Sequence, residues 1–460
     1  MSESAAKPLP KAQLAALVLV RLIDPVSYTQ MFPYINQFMA ELQVTDDPAK
    51  VGFYSGLVES AFSLSQLVSI YQWGRISDAV GRRPAVLAGA LGIAASSVMF
   101  GFSGSLTTVL LTRCLGGLSS GNIAVVNSAV AEITNSANQA IVIPIYGLSW
   151  PIGSTIGPLI GGTFAHAATR YPRCFGWGFF EEHPYFLPCA ISAMLALAGV
   201  AMGVTFIEET LPGKRSTPPE RDSTTSPGAP AVGSPGIKQL LSLPVLRTVA
   251  LSGYALSFLA MSFEVLFVLF CYTPVHSGGL AFSSAQIGYF LAAAGLVAVL
   301  CQVLVAPYLL RRFECAKIYY VCMRIWPVIF AAFPLLNLIA RWGMDAGTGA
   351  LSASTTAVLW TGIGTLLVLS RTGAVASSLS VLLVKQNAPQ SSLGQSNGIV
   401  QFAMCLGRTI GPFFASSVFA LSIKSEFLGG FAWVGVMMLV SMLGARVSRG
   451  VCAGHQSAGL

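Results

Sequence analysis

The chain has 460 residues, of which 54% are apolar and only 10% charged. Soluble globular proteins carry about 25% charged residues, so this composition, with a mean hydropathy of +0.69, excludes a nucleic-acid binder, a disordered hub and an ordinary cytosolic enzyme. Most of the surface needs the bilayer as its solvent, and the net charge of +8 then fits basic cytoplasmic loops better than a phosphate-bearing partner. Residues 1–11 are polar, contain Pro8 and Pro10, and show no signal-peptide pattern, so the first hydrophobic segment is expected as a retained span.

Apolar runs of about 20 residues place six spans at 12–38, 51–72, 84–103, 106–132, 140–165 and 184–207. Six more follow at 244–274, 284–309, 316–340, 353–384, 391–422 and 428–448. The intervening stretch is rich in Pro, Gly, Ser and Thr, carries Ser/Thr-Pro sites, and is expected to be a flexible linker. These breaks divide the chain into an N-terminal six-helix bundle (1–207), a cytoplasmic linker (208–243), a C-terminal six-helix bundle (244–449) and a cytoplasmic tail (450–460). With both termini cytoplasmic, sixteen Lys and Arg fall on inner segments and five on outer ones, a positive-inside bias. Arg21, Arg113, Arg324, Arg371 and Arg408 remain in or at the edge of spans.

Three carboxylates fall well inside spans, Asp24, Glu59 and Glu264. A carboxyl in low dielectric can take up and release a proton during a transport cycle, which makes these the candidate proton sites, Asp24 first and Glu59 next. Arg21 lies three residues before Asp24, on the same helical face, and is placed to pair with it. Tyr28, Phe32, Tyr34, Phe53, Tyr54, Phe62, Tyr254 and Phe263 lie near these acids in the sequence and would suit a cavity for a planar or amphipathic solute. The loop after the second span reads Trp73-Gly74-Arg75-Ile76-Ser77-Asp78-Ala79-Val80-Gly81-Arg82-Arg83-Pro84. Gly74 and Gly81 would allow a tight hairpin, Asp78 would face the positive N-terminal end of a neighbouring helix, and Arg82 and Arg83 would hold the cytoplasmic surface.

The fourth span carries Arg113, a costly residue at membrane depth, followed by Gly117. In the fifth, Gly153, Gly157 and Gly161, with Gly162 beside them, make a smooth helix face for close approach, and Pro158 permits bending. The segment GSTIGPLIGG at 153–162 matches GRTIGPFFAS at 407–416 in five of ten positions. Gly407, Gly411 and Pro412 are therefore the C-half counterparts. Such a duplication, with parallel repeats, is an architecture of secondary transporters with the substrate site between the halves. The nine cysteines show no CxxC or other metal spacing, so no metal site, cofactor or disulfide framework is expected.

The 73–84 loop resembles the G-x-x-x-D-x-x-G-R-R/K signature of the major facilitator superfamily, and Arg113 with Gly117 resembles the R-x-x-x-G motif of its fourth helix. The 153–162 pattern resembles the antiporter motif of its drug–proton exchangers. The resemblance implies that Gly74, Asp78, Gly81, Arg82 and Arg83 are gating residues and that Arg113 takes part in proton coupling. Asp24-Pro25, Phe32-Pro33-Tyr34-Ile35, Gly52-Phe53-Tyr54-Ser55-Gly56, His183-Pro184-Tyr185-Phe186-Leu187-Pro188, Glu209-Thr210-Leu211-Pro212, Asn387-Ala388-Pro389 and Gly394-Gln395-Ser396-Asn397-Gly398 resemble a fungal and plant branch that includes the zinc-induced facilitator-like carriers. Residues 208–243 contain neither Cys nor His, unlike the cytoplasmic loops of plant members. That departure weakens zinc or a zinc chelate as substrate and brings the chain nearer to fungal exporters of secondary metabolites or toxic compounds.

The resemblance thus implies an all-α polytopic membrane protein of twelve transmembrane helices in two six-helix bundles. Its expected function is proton-coupled efflux of a small amphipathic organic molecule, as a monomer and in the plasma membrane rather than the vacuolar membrane. The alternatives are an uptake or vacuolar carrier for a metal chelate or organic acid and, from another class, a non-transporting nutrient receptor.

Overall fold

A computed structural model of the chain describes residues 10–134, 138, 142, 145–211, 244–344, 352–387 and 393–458. Within them every regular element is helical. The first half contains α1 (Lys11–Thr29), α2 (Ile35–Glu41), α3 (Pro48–Val80), α4 (Arg82–Gly101), α5 (Leu106–Ser120), α6 (Ile123–Ile133), α7 (Ser149–Phe164) and α8 (Phe186–Phe206). The second contains α9 (Pro244–Tyr272), α10 (Ser284–Leu300), α11 (Cys315–Trp342), α12 (Ala353–Ala374), α13 (Ala376–Asn387), α14 (Leu393–Ser425) and α15 (Ala432–Ala458).

Several predicted spans are therefore broken helices. The fourth, 106–132, is α5 and α6 divided at Gly121–Asn122, where Gly121 packs against Ser69 and Trp73 of α3. The tenth, 353–384, is α12 and α13. The eighth continues from α10 through a π turn at Cys301–Val305 into Ala306–Arg312. Ten helical stretches among the described residues are long and apolar enough to cross a membrane. The other two predicted spans correspond to α3, whose course is interrupted by Glu59 and a series of Ser and Gln, and to α7. The expected start of the latter span, at 140, falls partly outside the described residues. So does the linker from residue 212, together with its Ser/Thr-Pro sites. The segment from residue 450, expected as a C-terminal tail, continues α15 as helix to Ala458.

Small residues fill one core of the first half, with Ala16, Ala85, Val86, Ala90, Val125 and Ala129 buried between α1, α4, α6 and α8, while Tyr34, Phe38, Phe100 and Tyr185 form an aromatic cluster elsewhere in that half. The C-terminal core is aromatic: Phe263, Phe267, Phe270, Trp326, Phe330, Phe333 and Trp433 are almost fully buried and meet mainly in tilted and edge-to-face contacts, the arrangement ring quadrupoles favour.

The internal repeat governs how the halves are built and joined. A Cβ on Gly157 would lie 2.8 Å from the Val26 carbonyl oxygen, and one on Gly411 would lie 2.8 Å from that of Phe258. Each copy of the glycine segment thus packs on the first long helix of its own half, α7 on α1 and α14 on α9. Each also reaches across. Gly162 of α7 meets Gly288 of α10, and Pro412 and Ser416 of α14 meet Gly56 of α3. Close backbone approach without a Cβ is the purpose of the glycines in both copies.

Candidate functional site

Between the halves lies a cavity of about 290 Å³. Thr29, Phe32, Trp150, Ser154 and Pro158 line it from the first half, and Leu256, Met261, Glu264, Leu291, Arg371 and Arg408 from the second. Its wall is mainly apolar, with a few convergent polar groups, the usual make-up of a small-molecule site. Glu264 and Arg371 form an ion pair at 2.6 Å. Of the aromatic residues expected here from the sequence, only Phe32 reaches the wall. Tyr28 and Phe62 instead flank the Arg113 guanidinium, whose carbon is 5.4 and 4.4 Å from their ring centroids, and Phe263 belongs to the aromatic core.

The other two intramembrane carboxylates are in the first half. Asp24 is buried, 3.1 Å from Arg21, and accepts a short hydrogen bond from Ser120. The pairing read from the spacing of Arg21 and Asp24 is thus present in the fold. Glu59, on α3, is more loosely held: its oxygens make no hydrogen bond of standard geometry, the Tyr28 hydroxyl is the neighbouring donor, and its nearest cation is Arg113 at 4.0 Å. Glu59 and the buried Asn36, whose amide is also without a hydrogen-bond partner, line a void of about 20 Å³ that Glu264 lines from the other half. That volume holds one water, which requires roughly 10–15 Å³ and two or more polar partners. One water there would place Glu59 one step from Glu264 and thus from the cavity.

The loop motif forms a cluster at the end of the molecule where α3 finishes. Gly81 has φ of +120°, a conformation that favours glycine, and makes the turn between α3 and α4. Gly74 does not. It lies within α3, six residues before that helix ends, with open space where a Cβ would project. Asp78 does not face a helix N-terminus either. It pairs with Arg82 one turn later at 2.7 Å and is largely exposed, whereas the start of α4 is taken by Glu209. The Glu209 carboxylate accepts from the backbone N–H of Arg82 at 2.8 Å and of Arg83 at 3.2 Å. Burial raises its pKa, but these bonds and those from Leu211 and Thr210 outweigh it and hold the carboxyl below the usual range. Arg82 also reaches Glu132 of α6 at 3.1 Å, and Thr210 donates to Glu132 at 2.5 Å. Glu209 and Thr210, at the start of the expected linker, thus dock on the first half, and none of these groups belongs to the second.

At the opposite end a polar seal joins the halves. Ser284, at the start of α10, donates to Gln37 of α2 at 2.6 Å. Gln37 donates to Glu41 at 2.8 Å and lies 2.9 Å from His166 Nε2. Tyr185 donates to Glu41 at 2.6 Å. Partial burial pushes the Glu41 pKa up, but bonds from His166, Tyr185 and Gln37 prevail and hold it below the usual carboxylate value. Gly162 against Gly288 and Asp47 with Lys424, at 4.0 Å, complete the closure. The cavity extends the other way, past Gly147, Gln302, Ser378 and Met404, towards the end bearing the loop cluster.

Sequence reasoning singled out Glu264 but not its partner Arg371, and it missed Glu132, Glu209, Asn36 and Trp150. An arginine within an apolar span was a usable signal for Arg371 and Arg408. Glu132 carried none, because it could have been an ordinary surface charge; Glu209 stood in the Glu209-Thr210-Leu211-Pro212 segment, which gave a resemblance but no partner.

Comparison with known proteins places this geometry in context. The chain is 40% identical over 471 residues to the major facilitator-type transporter psiT2 of Psilocybe cyanescens, covering 95% of this chain and 89% of that protein. It is 29% identical over 414 residues to the efflux pump azaK of Aspergillus niger, covering 90% and 82%. Among solved structures, a D-xylose–proton symporter superposes with a TM-score of 0.68 at 12% identity, over 96% of this chain and 97% of the other, a likeness of fold. Residues 27–412 match the model of the Major Facilitator Superfamily. The family match over residues 27–412 and the 40% identity to a major facilitator-type transporter place this chain in the Major Facilitator Superfamily, as a multi-pass membrane transporter of small molecules.

Proposed function

We propose that the protein exports a small amphipathic organic molecule in exchange for protons, by rocking its two halves about the central cavity. The observation that carries this reading is Glu59, a buried carboxyl beside the Tyr28 hydroxyl, 4.0 Å from Arg113 and linked to Glu264 by a void of one water's size. Such a group can exchange its guanidinium partner for a proton as the halves move, whereas Asp24 is held by both Arg21 and Ser120. Similarity to an efflux pump supports the direction. Both termini are taken as cytoplasmic from the distribution of basic residues, which makes the conformation described here inward-facing. The protein acts as a monomer in the plasma membrane. In this scheme the 73–83 loop, with Asp78, Gly81, Arg82 and Arg83, tightens when the cytoplasmic end closes, and the glycine faces at 153–162 and 407–411 let the helices slide in contact.

The test begins with metabolite profiles of medium from cells with and without the protein. The compound exported only by the former is then offered to proteoliposomes under an imposed pH gradient. Wild type concentrates it. Glu59→Gln loses gradient-driven accumulation by at least tenfold but keeps exchange at equal pH, and Asp24→Asn retains more of the driven flux than Glu59→Gln does. Driven accumulation by Glu59→Gln at the wild-type rate removes Glu59 from coupling.

A further inference from the structure

We propose that the transported molecule is an organic anion and that Arg408 binds its carboxylate or phosphate group. The proposal deepens the reading of the central cavity as the transport site and rests on it. Its first support is the repeat. Segments 153–162 and 407–416 pack equivalently on α1 and α9, and the second position of each lines the same cavity, as Ser154 on one wall and Arg408 on the other. Backbone placement is shared, and the charge is present on one side alone.

The second support is charge balance. Glu264 is already paired with Arg371 at 2.6 Å, and Asp24 with Arg21 at 3.1 Å. Arg408 has no carboxylate within ion-pair distance among the described residues, and it donates only to the Cys405 sulfur, 2.9 Å away on its own helix. An arginine at membrane depth is costly and ordinarily paired, so an uncompensated one facing a cavity leaves its counter-charge to the ligand. The guanidinium fork matches carboxylate and phosphate oxygens in bidentate fashion. Trp150, Leu256, Met261 and Leu291 offer the apolar surface for the rest of the molecule.

The test uses purified full-length protein in detergent and four probes on one ring system: 1-naphthylacetate, 1-naphthyl phosphate, 1-naphthylacetamide and 1-naphthylmethylamine. Affinity is read from thermal stabilisation as each probe is titrated. The two anions are expected to bind at least tenfold tighter than the amide and the ammonium probe, and their ratio to each other separates carboxylate from phosphate preference. Arg408→Gln is expected to abolish the anion preference with its unliganded melting temperature retained. Should that variant fail to fold, Arg408→Lys keeps the charge without the fork and is expected to weaken anion binding several-fold while sparing the amide. Equal binding of all four probes by wild type, preference for the ammonium probe, absence of anion binding at millimolar concentration, or unchanged anion binding in the folded arginine variants each overturns the proposal. No pH gradient is applied, so a failure of proton coupling leaves this result untouched. Loss of anion preference equally leaves the driven-flux experiment standing.

Discussion

Polar side chains order both ends of the molecule, but they do different physical work. At the loop end, Asp78, Arg82 and Glu132 of the first half bind one another and the linker residues Glu209 and Thr210. That network ties α3, α4, α6 and the residues after α8 into one body, and it stabilises that body whatever the second half does. At the far end, Gln37 bonds Ser284 across the two halves and Gly162 lies on Gly288. Contacts of that kind exist in only one arrangement of the halves, so their free energy biases a conformational equilibrium. A polar network within a half acts on stability, and a polar bridge between halves acts on populations.

The sharpest way to break the comparison is to fill the space at Gly162. A Cβ there would lie 2.9 Å from the Gly288 Cα and 3.1 Å from the Ser284 carbonyl oxygen. Overpacking costs about 1–3 kcal/mol, so Gly162→Leu is expected to reduce the population closed at the far end by roughly five- to 150-fold. Spin labels placed at positions 46 and 424 would read this as a shift to longer distances. An unchanged distance distribution would mean that the far end closes without that contact.

Glu209→Ala should act in the other currency. Loss of a helix cap costs about 0.5–2 kcal/mol, expected as a lower melting temperature with the 46–424 distance unaltered. Because folding lowers the Glu209 pKa, the carboxylate stabilises the protein above its ordinary unfolded value of 4.5. That contribution falls away as the pH drops below this value and through the lower folded one. Wild type should therefore lose stability faster than the alanine variant between neutral pH and acid, and parallel curves would remove the cap from the account.

A smaller effect is expected from Ser284→Ala, which deletes the donor of the cross-half bond. At about 1 kcal/mol for one hydrogen bond, the equilibrium should move roughly fivefold, visible in the same distance distribution with little change in melting temperature. Smallest of all is Gly74→Ala. With open space at its Cβ position and a helical backbone, alanine should stabilise by about 0.5–1 kcal/mol and leave transport unchanged. A transport-dead Gly74→Ala protein would show that residue 74 packs tightly in another state of the cycle.

The sequence by itself determined the membrane setting, the helical class, the two-half organisation and the correspondence of 153–162 with 407–416. These follow from apolar run length, from the low share of charged residues and from glycine spacing, all properties of short segments. Spacing also sufficed for Arg21 and Asp24, because one turn of one helix joins them. It misled at Gly74, where the glycine lies one and a half turns inside α3, and at Asp78, whose expected place at the start of α4 belongs to Glu209. Only the tertiary structure decided that Glu209 returns from the end of the sixth span to cap a helix 127 positions earlier, that Glu264 meets Arg371, and that Glu59 and Glu264 share one void. Each of those contacts joins residues on separate elements, far apart in the chain. Helical period fixes which face a residue occupies, but the partner on the neighbouring face is set by how the helices pack.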